Sequence, residues 1–133
     1  MSDAIQSILE NSRTIAVVGL SPNPDRPSYR VASYMQSQGY RIIPVHPQAE
    51  TILGEKVYAR LEDIPEPVDI VDVFRKSEDT PPVAEAAVRI GAKCLWLQLG
   101  ITNEVAEAIA STGGLDFVQN RCIKIEHEMR MGA

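Results

Sequence analysis

Short apolar runs rich in valine and isoleucine recur along the chain, and segments with helical spacing separate them. Runs that are apolar at almost every position are typical of parallel strands covered on both faces. Five such runs predict strands at Thr14–Val18, Arg41–Val45, Ile70–Phe74, Cys94–Leu97 and Leu115–Val118. Because strands alternate with helices, the pattern predicts an α/β fold, with a mostly parallel five-stranded sheet between two layers of helices.

The segments between these runs carry the apolar stripes and capping residues of helices. We expect helices over Asp3–Glu10, over Ser28–Gln38, from an N-cap at Thr80 to Gly91, and over Glu104–Ser111 behind an N-cap at Asn103. The tail CIKIEHEMR is ambiguous, because its first five residues alternate like a strand and the remainder has helical spacing.

Length and charge narrow the class of protein. The 133 residues are within the usual size of one domain, and we expect residues 1–133 to form a single domain. A net charge of −5 and a pI near 5.0 argue against a nucleic-acid partner, which would favour a basic face. No run approaches the roughly 20 apolar residues of a membrane span, so no membrane partner is predicted.

The amino-terminal segment and the cysteines bear on the compartment. The segment MSDAIQSILENS has acidic residues and no basic start, which argues against a signal peptide and favours a cytoplasmic location. Cys94 and Cys122 show neither CxxC nor Cys/His spacing, so we expect two reduced thiols and no metal site.

The stretch VVGLSPNPDRPSYRVASYM begins like a nucleotide-binding turn, with a strand, a glycine and then a helix. Ligands of parallel sheets bind beyond the carboxyl ends of the strands, and a helix N-terminus there favours an anion. Gly19 would let a phosphate pass close to the backbone. The second and third glycines of a dinucleotide site are missing, however, and a simple tight turn is the alternative.

Three prolines between Ser21 and Ser28 remove three N–H donors from this loop. Side chains would therefore have to hold a phosphate. Arg26 offers a planar fork suited to phosphate oxygens, and the two serines offer hydroxyl donors. The alternative for Arg26 is an ordinary exposed loop arginine.

The ends of the other strands carry further candidates. His46 stands where an NAD site would place a carboxylate, so it either contacts a different nucleotide or has a structural role. Arg75 and Lys76 are suited to a second phosphate or to an adenine face, with a solvated cationic pair as the alternative. Gln98 and Gly100 leave a polar edge where we expect a ligand contact.

Taken together, VVGLSPNPDRPSYRVASYMQSQGYRIIPVHP, ILGEKVYARLEDIPEPVDIVDVFRKSE and WLQLGI resemble the stand-alone CoA-binding domain proteins. That family shares its Rossmann-like fold with the N-terminal CoA-binding domain of succinyl-CoA synthetase alpha subunits. The resemblance extends from about Ile8 to Glu126. It implies a small cytoplasmic protein that binds coenzyme A or an acyl-CoA as a small-molecule ligand, without catalysis of its own.

The resemblance also implies a set of cofactor-binding residues and no catalytic ones. The residues around the pyrophosphate would be Gly19, Leu20, Ser21, Arg26, Ser28 and Tyr29. Those flanking the adenosine would be Pro44, Val45, His46, Pro47, Val73, Phe74, Arg75 and Lys76. The ligand edge would be closed by Gln98, Gly100 and Ile101. The chain departs from the family pattern at two positions. His46 stands where many relatives carry Asn, and Asn120 stands where an acidic residue is expected.

Two other functions stay open at this point. A thiol-dependent acyl-CoA transferase would use Cys122 with Glu126 and His127, and it requires a base within hydrogen-bond reach of the thiol. An NADP-binding sensor would use Arg75 or Lys76 to hold the 2′-phosphate.

Overall fold

The structure is a computed structural model, and it describes residues 3–132 of the chain. The helices are α1 (Ala4–Glu10), α2 (Pro27–Ser37), α3 (Thr80–Arg89), α4 (Glu104–Thr112) and α5 (Ile123–Arg130). The strands are β1 (Thr14–Val18), β2 (Arg41–Val45), β3 (Thr51–Ile52), β4 (Glu55–Lys56), β5 (Ile70–Val73), β6 (Cys94–Leu97) and β7 (Asp116–Val118). Two 3₁₀ turns cover Leu61–Asp63 and Ser77–Asp79.

Five of the strands form one parallel sheet, in the order β2-β1-β5-β6-β7. The chain moves outward from β1 to β2 in one direction, and from β5 through β6 to β7 in the other. The strand order therefore reverses between β1 and β5. Doubly wound sheets of this kind bind ligands in the crevice beyond the carboxyl ends of the strands at such a point.

Apolar layers cover both faces of the sheet. Helices α1, α2 and α5 pack on one face, where the sheet contributes residues such as Val17 and Trp96. Helices α3 and α4 pack on the other face, against residues such as Val71 and Leu95. The predicted fold class is confirmed, because the sheet lies between two helical layers in a Rossmann-like arrangement. Within residues 3–132, no helix combines the length and apolar character that crossing a bilayer requires.

The starts of α3 and α4 test the two predicted N-caps. The predicted N-cap at Asn103 is confirmed, since its Oδ1 accepts the Ala106 N–H at 2.8 Å. The predicted N-cap at Thr80 is wrong, because the 3₁₀ turn before it runs into α3 and makes Asp79 the cap. The Thr80 hydroxyl instead donates to the Ser77 carbonyl oxygen at 2.8 Å.

The remaining differences from the predicted elements are local. The third and fifth strands of the prediction are each one residue too long. The ambiguous tail forms helix α5 from Ile123 onward. The short antiparallel pair β3–β4 was not predicted, and its turn places Leu53 and Gly54 at positive φ.

Candidate functional site at the carboxyl edge of the sheet

A cavity of about 400 Å³ lies where β1 meets α2, beyond the carboxyl end of the sheet. It is lined by Gly19, Ser21, Arg26, Pro27, Ser28 and Phe74. Five of these six residues belong to the set that the sequence predicts for a CoA site. The sixth, Pro27, occupies the first position of α2, as its fixed φ favours.

Gly19 and Phe74 fix the width of this crevice. Gly19 has φ +85°, and a Cβ atom built on it would lie 2.3 Å from the Phe74 carbonyl oxygen. A residue with a side chain would therefore force β1 and β5 apart at their ends. The Phe74 side chain, which the family resemblance places beside the adenosine, is half-buried and borders the cavity.

The proline-rich loop is held by its own polar side chains. Ser28 Oγ accepts the Ser21 N–H at 3.0 Å, and Ser21 Oγ accepts the Asn23 N–H at 3.1 Å. Asn23 Oδ1 accepts the Asp25 N–H at 2.9 Å. These bonds fix the loop shape, which lowers the conformational entropy that a ligand would have to remove. Each serine hydroxyl can still donate its own hydrogen.

The amino end of α2 points into the same cavity. Arg26 occupies the N-cap position, and its side chain makes no capping hydrogen bond. Its guanidinium is consequently free to reach an anion. The positive end of the helix dipole adds to the preference for negative charge at this place.

Cations at the two edges of the sheet have different partners. At the amino ends of the strands, Arg41 pairs with Glu66 and Lys93 pairs with Asp69. At the carboxyl edge, Arg26, Arg75 and Lys76 are exposed and form no ion pair with any group of residues 3–132. The carboxyl edge therefore holds three exposed cations without a carboxylate partner in the part of the chain that the structure describes, and the molecule is acidic overall.

The end of β2 is braced by His46. Its Nδ1 accepts the backbone N–H groups of Gln48 and Ala49 at 3.1 and 3.0 Å, so the ring carries its proton on Nε2. Its backbone N–H donates to the Tyr58 carbonyl oxygen at 3.0 Å. The histidine thus has a structural role in shaping this loop, and only its Nε2 side is left for a ligand.

Loops after β6 and β7 are joined to each other. Gln98 is buried, and its Oε1 accepts the Ile123 N–H at the start of α5 at 3.1 Å. Asn120 has φ +59°, and its Oδ1 accepts the Gly100 N–H at 2.7 Å. The Gln98 side chain therefore supports helix α5, and the exposed part of this edge is Leu99 and Gly100.

The remaining predicted site residues divide by exposure. Leu20, Pro44, Val45 and Val73 are buried, so their side chains pack in the protein interior. Tyr29 and Ile101 are half-buried, and Pro47 is exposed. The structure thus gathers the β1–α2 residues around one cavity, and it places those of the β2, β5 and β6 ends along the same edge of the sheet.

Asp72 is a buried carboxyl group that sequence reasoning did not single out. It lies in β5 between Val17 and Trp96 and is 1% exposed. Its Oδ1 has no hydrogen-bond partner, and burial raises its pKa well above the ordinary value. The sequence does indicate a buried carboxyl group here, because Asp72 is the one charged residue in the apolar run IVDVF.

The residues of the thiol-transferase hypothesis lie at the start of α5 and within it. Cys122 is the N-cap, and a residue five positions later lies about 140° around the helix and about 7.5 Å along it. His127 Nδ1 lies 2.8 Å from the Tyr34 hydroxyl, and burial lowers the pKa of this ring. Glu126 forms ion pairs with Arg130 and Arg121. Each of the two groups thus has a partner other than Cys122.

Comparisons with known proteins agree with this fold and identify the family. A family model described as CoA binding domain matches residues 13–128, and the chain belongs to that family. It is 45% identical to the uncharacterized protein YneT of Bacillus subtilis over 123 residues, which cover 92% of this chain and 91% of that protein.

Two further relatives are a protein of similar size and a much larger enzyme. A hypothetical protein from Pyrococcus horikoshii OT3 superposes with a TM-score of 0.93 at 40% identity, covering 96% of this chain and 90% of that one. Acetate–CoA ligase (ADP-forming) II of Archaeoglobus fulgidus is 29% identical over 83 residues. That match covers 61% of this chain and 12% of the ligase, so the chain corresponds to a small part of the enzyme.

Proposed function

We propose that this protein binds coenzyme A or an acyl-CoA at the carboxyl edge of its sheet, and that residues 1–133 act as a one-domain cytoplasmic binding module without catalysis of their own. The ligand's pyrophosphate would lie in the cavity between Gly19 and the start of α2. Its adenosine would extend along the ends of β2 and β5, and its pantetheine arm toward the loop after β6.

One observation carries this proposal: Arg26, whose side chain makes no capping hydrogen bond, lines the same cavity as Gly19 at the amino end of α2. Such a place suits a diphosphate, because a fork-shaped cation, hydroxyl donors and a helix dipole converge on it. Membership of the CoA-binding domain family supports the choice of ligand.

Titration calorimetry with coenzyme A tests the proposal. Arg26→Ala should weaken binding by about ten- to a hundredfold, since a charge-assisted hydrogen bond contributes about 1.5–3 kcal/mol. Arg13→Ala is the matched control, because Arg13 is also exposed but lies at the amino end of β1. Equal binding by the Arg26 variant and the parent protein would rule out the assigned role.

NADP is the alternative ligand, because a cation at Arg75 or Lys76 would also suit a 2′-phosphate. Thermal unfolding with coenzyme A, dephospho-CoA, NAD and NADP separates the two. A ligand at about 100 times its dissociation constant stabilises the fold by roughly 2.7 kcal/mol. A shift with NADP and none with coenzyme A would reverse the choice.

The non-catalytic part of the proposal has its own test. Incubation with acetyl-CoA, followed by intact-protein mass spectrometry and a free-thiol assay, should leave Cys122 unmodified and release no coenzyme A. Acetylation that disappears in Cys122→Ser, with coenzyme A released in equal amount, would identify a transferase instead.

A further inference from the structure

A shallow apolar groove runs between α3 and α4, on the face of the sheet opposite to α2. Its volume is about 720 Å³, and it is lined by Glu85, Val88, Glu104, Val105, Ala108, Ile109, Thr112 and Gly113. Val105 is 58% exposed, which is unusual for a valine within a helix. The groove shares no lining residue with the cavity at Gly19.

The shape of the groove follows from small residues at the helix contact. Alanines of both helices are buried beneath it, and a Cβ atom on Gly113 would lie 2.5 Å from a Val88 methyl carbon. The helices therefore approach closely, and larger side chains do not fill the valley above them. Both helices connect successive parallel strands, so they run side by side and offer a straight channel to a third helix.

The rim of the groove is acidic. Glu85 stands on α3 and Glu104 at the start of α4, and neither forms an ion pair with a group of residues 3–132. No lysine or arginine is among the lining residues. A second copy of the same groove would bring like charges together, whereas a cationic partner would complement them.

We propose that the α3–α4 groove binds an amphipathic helix of a partner protein, with apolar side chains facing Val88 and Val105 and with lysines or arginines beside the glutamates. Helix-in-groove recognition uses anchors at i, i+3, i+4 and i+7, which match the length of a channel formed by two helices of this size. The partner would attach on the side of the sheet away from the proposed CoA site, so both could be bound at once.

A defined peptide provides the probe. It is a fluorescein-labelled helix of about 18 residues, roughly 27 Å long, with leucines on one stripe and lysines on both sides of it. A peptide of the same composition with the leucines dispersed is the first control, and one with glutamate for lysine is the second. Fluorescence anisotropy measures binding, and amide chemical shifts locate it on the protein.

Variants of the protein test whether the peptide binds in the groove or on another apolar surface. Val105→Asp should lower the affinity for the lysine peptide at least tenfold. The variant should still fold, because an aspartate is compatible with the first turn of a helix. Met129→Asp is the control, because Met129 is 70% exposed on α5. The double variant Glu85→Lys, Glu104→Lys should bind the lysine peptide more weakly than the parent does, and it should bind the glutamate peptide more tightly.

Three results would overturn the proposal. One is equal affinity of the Val105 and Met129 variants, and another is equal binding of the dispersed peptide. The third is self-association, seen in sedimentation as a dimer that Val105→Asp converts to a monomer, because a second copy would then occupy the groove. Each outcome is independent of coenzyme A binding, which calorimetry on the same variants monitors.

Discussion

Gly19 and Phe74 approach so closely that a methyl group on the glycine would overlap the carbonyl oxygen of Phe74. This contact joins β1 to β5 at the reversal of strand order, directly beneath the cavity proposed for the diphosphate. The glycine therefore has two functions, since it allows both a positive φ and a narrow crevice.

Gly19→Ala should destabilise the fold by more than backbone strain alone, and it should also reduce coenzyme A binding. Gly91→Ala is the matched control, because Gly91 has φ +72° and no atom within 4 Å of an added Cβ. Strain at positive φ costs about 1–2 kcal/mol, and overpacking adds about 1–3 kcal/mol. Urea unfolding of both variants measures the difference; equal losses would mean that the Phe74 contact adds nothing.

Removing Arg75 and Lys76 together should affect coenzyme A and dephospho-CoA differently. If these cations hold the 3′-phosphate, the double alanine variant should lose about tenfold or more in affinity for coenzyme A and little for dephospho-CoA. Lys93→Ala, at the opposite edge of the sheet, serves as the control. An equal loss of affinity for both ligands would mean that Arg75 and Lys76 attract anions in general and do not bind the 3′-phosphate.

Asp72→Asn should change the pH dependence of stability. The folded pKa is raised by burial, whereas the unfolded side chain titrates near 3.8, so the unfolded state releases its proton first. Stability of the parent should therefore fall as pH rises above that value, by up to about 1.4 kcal/mol per pH unit, until the folded pKa is passed.

The asparagine variant lacks this titration, and its advantage over the parent should grow with pH in denaturant unfolding. If the free energy of unfolding depended on pH in the same way for the parent and for Asp72→Asn, other interactions in the folded protein would compensate for the burial of the Asp72 carboxylate.

Asn120 contributes both a backbone conformation and a hydrogen bond, and two variants separate them. Asn120→Gly keeps easy access to positive φ and loses the bond to the Gly100 N–H, at a cost of about 0.5–1.5 kcal/mol. Asn120→Ala loses both and should cost about 1–2 kcal/mol more. Thermal and urea unfolding should rank the variants in that order; equal losses would indicate a relaxed backbone at this position.

The central strands could be predicted from sequence because their signal is local. Thr14–Val18 is apolar at nearly every position, and its observed bounds agree with the prediction. Helix α5 could not be assigned in the same way. CIKIE alternates like a strand, and the helix forms because Ile123 is buried and Gln98 accepts its N–H, which are contacts made 25 residues apart.

The candidate site could be predicted in part, because parallel sheets bind ligands beyond the carboxyl ends of their strands and the sequence locates those ends. That rule brought attention to Gly19, Ser21, Arg26 and Ser28, and these residues do line one cavity. The same rule could not distinguish side chains that face the crevice from those that support it. His46 accepts backbone N–H groups of its own loop, and Gln98 accepts the N–H at the start of α5. Only the three-dimensional arrangement reveals these hydrogen bonds.

The three exposed cations at the carboxyl edge have a kinetic consequence. A polyanion that approaches this acidic molecule would be attracted toward the rim that holds Arg26, Arg75 and Lys76. The resulting field would orient the incoming phosphates before any contact forms, and it would weaken as added salt shortens its range to about 10 Å or less. Capture and alignment would then be a single event.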